Sequence, residues 1–314
     1  MNKSRGIETI RDEEKIHNLC PFLRTILHYG KRKVDIELAT TCVYSTKKLN
    51  INMNIILRQI LKFGLERAAK KSIHTHPQVV CFAHDSISRK IMIDGLHEKN
   101  ELLALKSFLL SEPYGRDTCL DVGGNIGNHA LFFSSLFEEV ISFEPNPKIC
   151  QLLTINAGLT NNVTAVNIGL SNETGDIPAK VDNLNFGGAR LTSEDNANEK
   201  FSLMALDEYL LSAAPKPISF IKMAAGGYEL KALEGASDTL QRHQPILALE
   251  LHVKKDESKA SSILTFLLSQ GYGYAHIFKP KFFSLNKPKF VKVPISEFHD
   301  YPIKNHKIVV FTFD

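Results

Sequence analysis

The spacing of apolar residues changes character along this chain. In residues 52–71 they recur at helical intervals: Met53, Ile56, Leu57, Ile60, Leu61, Leu65 and Ala68. Arg58, Lys62, Arg67, Lys70 and Lys71 lie between them, so the pattern predicts a basic amphipathic helix. From residue 78 onward, short apolar runs alternate with helical periods. Residues 79–83 and 90–93 read as short strands of a hairpin. Residues 98–110 read as a helix that buries Leu102, Leu103, Leu105, Phe108 and Leu109. The run 119–122 is a strand of the kind buried in parallel sheets. A glycine turn and a helix, 129–137, follow it.

The alternation continues. Strands are expected at 138–147, 163–171, 218–223 and 245–252, and helices at 148–159, 228–240 and 258–271. A polar excursion with Gly and Asn occupies 172–200. Two final strands, 273–278 and 307–313, have no helix between them. Strands alternating with helices wind into a mostly parallel sheet covered on both faces. The last two strands predict an antiparallel edge. The fold class is therefore α/β: a doubly wound, Rossmann-like sheet of seven strands, residues 78–314, preceded by a mainly helical segment, residues 1–77.

Charge sharpens that division. Residues 1–77 hold 15 Lys/Arg against 7 Asp/Glu, a net +8, whereas residues 78–314 hold 23 against 27, a net −4. A basic leader on a mildly acidic body suits either an anionic partner or a solvated helical extension. The helix at 52–71 can lie on a membrane surface or pack its stripe on the main body, the second being the commoner arrangement. No run approaches the ~18 apolar residues of a membrane span, and no signal peptide is visible, so a cytoplasmic location is expected. Five cysteines at wide spacing, with no C-x-x-C pair, read as reduced thiols. His74 and His76 lack accompanying ligands, so no metal is expected.

The chemistry concentrates at Asp121-Val122-Gly123-Gly124-Asn125-Ile126-Gly127-Asn128, between a strand and a helix. Glycines there let the backbone turn sharply and approach a ligand, and a helix start offers N–H groups. Glu144 ends the next strand, 23 residues after Asp121, where a carboxylate can accept from both hydroxyls of a ribose. A nicotinamide-dinucleotide fingerprint does not fit, because its first glycine would fall on Val122, and a phosphate-binding loop fails for want of Gly-Lys-Ser/Thr.

The stretches DVGGNIGNHALFF, VISFEPNPKICQLLTINAGLTNN, LSNETG, LDEYL, FIKMAAGGYELKALEGA and PILALELH together resemble the FkbM-type methyltransferases that use S-adenosylmethionine (SAM). IDGLHEKNELLALKSFL has the look of that family's lead-in helix. The resemblance covers about residues 90–252. It implies a class I methyltransferase fold and O-methylation of a hydroxyl group on a sugar, glycan or other small natural product. It also implies SAM contacts from Asp121, Gly123, Asn125, Gly127 and Glu144, with Gly124 and Asn128 completing the turn.

One departure matters. The family carries two acids at the end of the fourth strand, where this chain has Ala224 and Gly226. The expectation is an impaired methyltransferase or, alternatively, a SAM-binding scaffold of little activity. Methyl transfer to oxygen needs alignment and a proton acceptor. Glu250 and His252, two apart on the fifth strand and so on one face, are the candidates for that role. Lys222 is a further catalytic candidate, able to pair with a carboxylate. Asp207 reads as a helix cap. The Lys- and Phe-rich loop that holds Lys279, Lys281, Lys287, Lys289 and Lys292 suits either an anionic or sugar-like ligand or, as the commoner case, a simply soluble loop. No RNA-binding module is visible, so nucleic acid is not the expected partner.

Overall fold

The computed structural model describes residues 53–74, 76–83, 85–111, 114–182, 185–191, 194–213, 216–251, 257–279, 289–300 and 306–313. The chain divides into two compact units, residues 1–64 and 65–314. Helix α1, Met53–Ser72, runs across that division. Along it Ile55, Leu57, Ile60, Leu61 and Leu65 are exposed. The helix forms as expected, but Leu57, Ile60, Leu61 and Leu65 of its stripe are exposed, against the expectation of burial, while Ile56 and Ala68 are partly buried. Among the described residues no helix is long and apolar enough to cross a membrane.

The second unit opens with α2, Ser86–Asp94, and α3, Lys99–Ser111. The hairpin expected at 79–83 and 90–93 is absent. The first stretch has no strand, and the second lies inside α2. Local capping chemistry explains this. Asp85 accepts the N–H groups of Ile87 and Ser88, and Gly95, at φ 80°, closes the other end. Asp as N-cap and left-handed Gly past the last turn are helix signals that outweigh a short alternating run.

Ten further strands and six further helices follow in the order β1 (Thr118–Val122), α4 (Asn128–Phe133), β2 (Glu139–Phe143), α5 (Pro147–Ala157), β3 (Val163–Val166), β4 (Gly169–Leu170), β5 (Gly175–Asp182), β6 (Asn185–Leu191), β7 (Glu199–Met204), α6 (Leu206–Ala213), β8 (Ile218–Met223), α7 (Glu229–Glu234), α8 (Ser237–His243), β9 (Ile246–Leu251), α9 (Glu257–Ser269) and β10 (Tyr274–Lys279). Strands β11 (Lys289–Pro294) and β12 (His306–Thr312) close the chain.

Eight of the twelve described strands form one sheet, ordered β11-β10-β12-β9-β8-β1-β2-β3. Pairs from β9 through β8, β1 and β2 to β3 are parallel, and those made by β12 with β9 and β10 are antiparallel. The expectation of seven strands falls short by one. β12 inserts between β9 and β10, and β11, from the stretch read as a loop, pairs with β10 and becomes the edge. The excursion at 172–200 builds strands of a second sheet, ordered β4-β7-β5-β6. The helix expected over 228–240 is two helices, and Gly235 between them lies against the Ser171 carbonyl, which a Cβ there would meet at 2.0 Å.

Burial alternates along the central strands. Cys119, Val140, Phe220, Ala248 and Val310 pack on one face, with Leu102, Leu105 and Leu109 of α3 and Ala130 and Phe133 of α4. Leu120, Ile141, Ile221, Leu247 and Val309 pack on the other, with Leu233, Leu240, Leu264 and Leu267. Both faces are covered, which is why these strands read as continuous apolar runs. Because strand order reverses between β1 and β8, a crevice opens at their carboxyl ends.

Candidate active site

Asp121 sits beneath that crevice as a fully buried carboxylate. In the sheet register it neighbours Ser142 on β2 and Lys222 on β8. Lys222 Nζ lies 2.9 Å from Asp121 Oδ1, and Ser142 donates to Oδ2 at 3.1 Å. Lys222, also buried, donates to the Gly123 carbonyl at 3.3 Å. The acid before the turn is thus ion-paired at Oδ1, which has no aligned hydrogen bond of its own, and hydrogen-bonded at Oδ2, and the lysine is the cation that allows its burial.

The turn rises directly from this pair. Gly123 and Gly124 both donate to the Phe143 carbonyl, at 3.0 and 2.9 Å. Gly123 has φ 74°, and a Cβ there would meet the Ala224 carbonyl at 2.1 Å. Gly124 has no such torsion, but its Cβ would meet Ser142 Oγ at 2.0 Å. Glycine is needed at the first position for torsion and space, and at the second for space. Asn125 is left-handed at φ 50° and Gly127 at 91°.

Glu144 braces the turn from behind. Its Oε2 accepts the Asn125 N–H at 3.0 Å and its Oε1 accepts the Asn146 N–H at 2.9 Å. Burial pushes its carboxyl up to about 7, outweighing those two hydrogen bonds and Lys222, which pull it down.

A cleft of about 220 Å³ opens above the turn. It brings together Gly123, Gly124, Asn125, Asn128, Lys222 and Glu250 among the residues singled out from sequence. Asp121, Gly127 and Glu144 do not line it: Asp121 lies below, and Gly127 packs toward Leu153. His252 lies outside the described residues. Ala224 lines the cleft, whereas Gly226 is exposed, at φ 59°. Glu229 accepts the N–H groups of Ala225 and Gly227, at 3.1 and 3.0 Å, and so fixes the segment between them. Asp207 accepts from the Asp238 and Thr239 N–H groups, both at 2.9 Å, and so caps α8 rather than its own helix, α6.

Sequence reasoning missed one wall. His97, Glu98 and His129 also line the cleft. Glu98 Oε2 is 3.5 Å from His129 Nε2, and its Oε1 is 3.9 Å from His97 Nε2. Asn128 accepts the His97 N–H at 3.1 Å and donates to the His97 carbonyl at 3.2 Å, tying this wall to the turn. The available signal was His-Glu just before one helix and Asn-His just after a glycine turn; only the fold brings the two together.

A profile of the Methyltransferase FkbM domain matches residues 121–274, from the buried acid to the start of β10. Those residues are an FkbM-type methyltransferase domain. The chain is also similar to the hexuronic acid methyltransferase AglP of Haloferax volcanii, 29% identical over 186 residues, or 59% of this chain and 75% of AglP. Among solved structures it is similar to an FkbM methyltransferase from Methylobacillus flagellatus, with 17% identity and a TM-score of 0.43, over 71% of this chain. That match spans about half, 52%, of the other protein's length. A TehB-like SAM-dependent methyltransferase from Corynebacterium glutamicum aligns with 13% identity and a TM-score of 0.39, over 72% of this chain and 93% of its own. The FkbM domain thus contains the glycine turn, Glu144, the Ala224–Gly227 segment and Glu250, but not the His97–Glu98 wall.

Proposed function

We propose that this protein binds SAM in the cleft above Gly123–Asn125 and transfers its methyl group to a hydroxyl of a sugar or glycan, at a rate lowered by the residues at 224 and 226. The observation that carries the reading is the side-chain-free floor at Gly123 and Gly124, held by Glu144 and by the buried Asp121–Lys222 pair. The donor set suits the cofactor. The turn admits close approach, and the two oxygens of Glu144, each holding one backbone N–H just outside the cleft's lining, keep lone pairs for the hydroxyls of a ribose that extends past Asn125. Asp121, Gly123, Gly124, Asn125, Gly127, Asn128 and Glu144 form the cofactor wall by contact or by bracing it. A carbohydrate acceptor is supported by the likeness to AglP, named for a hexuronic acid.

When bound, SAM supplies an electrophilic methyl group. The chain's own residues align the acceptor oxygen and take its proton. Lys222 is engaged with Asp121, so it serves by holding the turn and setting local charge. Glu250, at the end of β9 on the cleft, is the proton acceptor nearest that role; His252 lies two residues further along. Ala224 and Gly226 offer only a methyl group and a hydrogen where two carboxylates would add a base and an acceptor contact, which is why slow transfer is expected.

Isothermal calorimetry with S-adenosylhomocysteine, followed by a methyl-transfer screen against hexuronic acids and neutral glycans, tests this. Binding with transfer supports it. Binding with no transfer to any hydroxyl leaves the alternative, a SAM-binding scaffold, and no binding removes the site.

A further inference from the structure

The cofactor read into this cleft is a zwitterion at one end, with an ammonium and a carboxylate on its methionine half. Ammonium groups need carboxylate or carbonyl acceptors once water is excluded. The carboxylates near the turn divide sharply. Asp121 is paired with Lys222 and accepts from Ser142, and Glu144 is turned to the backbone of Asn125 and Asn146. Glu98 and Glu250 are the acids that line the cleft itself. They stand on different elements, Glu250 on a sheet strand and Glu98 at the start of α3.

Glu98 is held in an unusual way. Its backbone is left-handed, at φ 56°, a region that long side chains seldom adopt. Its carbonyl accepts the Leu102 N–H at 2.9 Å, which anchors the first turn of α3. The residue before it is clamped at both N–H and C=O by the Asn128 amide. His129 and His97 stand 3.5 and 3.9 Å from its two oxygens. Strain at a residue fixed from several sides, on the wall of a cleft, is the kind retained for function.

We propose that Glu98, positioned by His97, His129 and Asn128, is the subsite for the ammonium group of the cofactor's methionine half. This rests on the SAM reading of the cleft. It assigns Glu98 to cofactor recognition and leaves Glu250 for the acceptor.

The test compares two nucleosides on the full chain by calorimetry. S-adenosylhomocysteine carries the amino-acid end, and 5′-methylthioadenosine lacks it. Glu98→Gln keeps the shape and removes the charge. The expected result is a loss of about ten- to a hundredfold in affinity for S-adenosylhomocysteine, the scale of a charge-assisted hydrogen bond. Affinity for 5′-methylthioadenosine should stay within about twofold, which also reports that the variant is folded. Glu98→Asp should recover part of the loss. Equal weakening of both ligands would mark Glu98 as structural only and overturn the proposal, as would unchanged affinity for both. If the unaltered protein binds neither nucleoside, the cofactor site fails and the subsite with it.

Discussion

Lys222 Nζ lies 2.9 Å from Asp121 Oδ1, joining β8 to β1 directly beneath the glycine turn. Neither side chain is more than 7% exposed. Removing one partner of such a pair strands a buried charge, at about 3–5 kcal/mol. Asp121→Ala should therefore cost about that much in urea unfolding. The double variant Asp121→Asn with Lys222→Met should be clearly more stable than Asp121→Ala. Equal stability of the two would mean that the pair is hydrated and the turn rests on other bonds.

Glu144 links pH to the cofactor. Its carboxyl rises from about 4.5 to about 7 on burial. Folding therefore favours the protonated form. This stabilisation is complete below the unfolded value and lost as pH rises through about 7. Ribose hydroxyls prefer the ionised form, so affinity for S-adenosylhomocysteine should increase with pH across 6–8. Glu144→Gln should flatten that dependence, and Glu144→Ala should weaken binding ten- to a hundredfold, since about 1.4 kcal/mol is a factor of ten. A pH-independent affinity in the unaltered protein would contradict the assignment.

His276 points the other way. It is buried on β10 and lies 3.0 Å from Thr312 Oγ1, with the edge of Phe108 against its ring. Burial and Lys292 lower its pKa from 6.5 to about 4. The unfolded chain binds this proton more readily, so stability should fall as pH drops from about 6.5 to about 4. The loss is on the order of 3 kcal/mol. His276→Gln should reduce that acid sensitivity in thermal unfolding; an unchanged profile would show that His276 does not carry it.

The segment at 224–227 gives the test of impaired transfer. Ala224→Asp with Gly226→Glu should raise turnover on a hydroxyl acceptor, by up to the 10²–10⁴-fold typical of general-base help. S-adenosylhomocysteine affinity should move much less. The second substitution carries a cost: Gly226 is at φ 59°, although the space around its Cβ is open. A left-handed Glu there should lower stability by roughly 1–2 kcal/mol. If the unaltered protein is already fast and Glu250→Gln abolishes its activity, the base lies on β9 and the missing acids are not limiting.

Much of this architecture was legible in the order of residues. The parallel strands β1, β2, β8 and β9 are short apolar runs because both faces are covered, and period-two burial is a local property of the chain. The glycine turn was legible for a similar reason: left-handed torsion and close packing leave few alternatives to glycine. Elements governed by several weak signals were misread. The alternating run at 90–93 lost to a cap at Asp85 and a left-handed Gly95. The stretch at 289–294 became an edge strand because β10 offered it a partner far away in sequence.

The site divides along the same line. Asp121, Gly123, Glu144 and Lys222 could be singled out from sequence because each stands at a strand end or a turn. Their tasks could not, since who satisfies a buried charge depends on neighbouring strands. Only the sheet register sets Lys222 and Ser142 on either side of Asp121, and only the turn's path brings the Asn125 N–H to Glu144. Glu98 and His129, 31 residues apart, meet because Asn128 clamps the backbone of His97. The sequence by itself determined which backbone can bend and which segments must be buried, since torsion and hydrophobicity belong to single residues and short runs. Which charges meet was decided by the tertiary structure, because electrostatic and hydrogen-bond partners are set by distance in space.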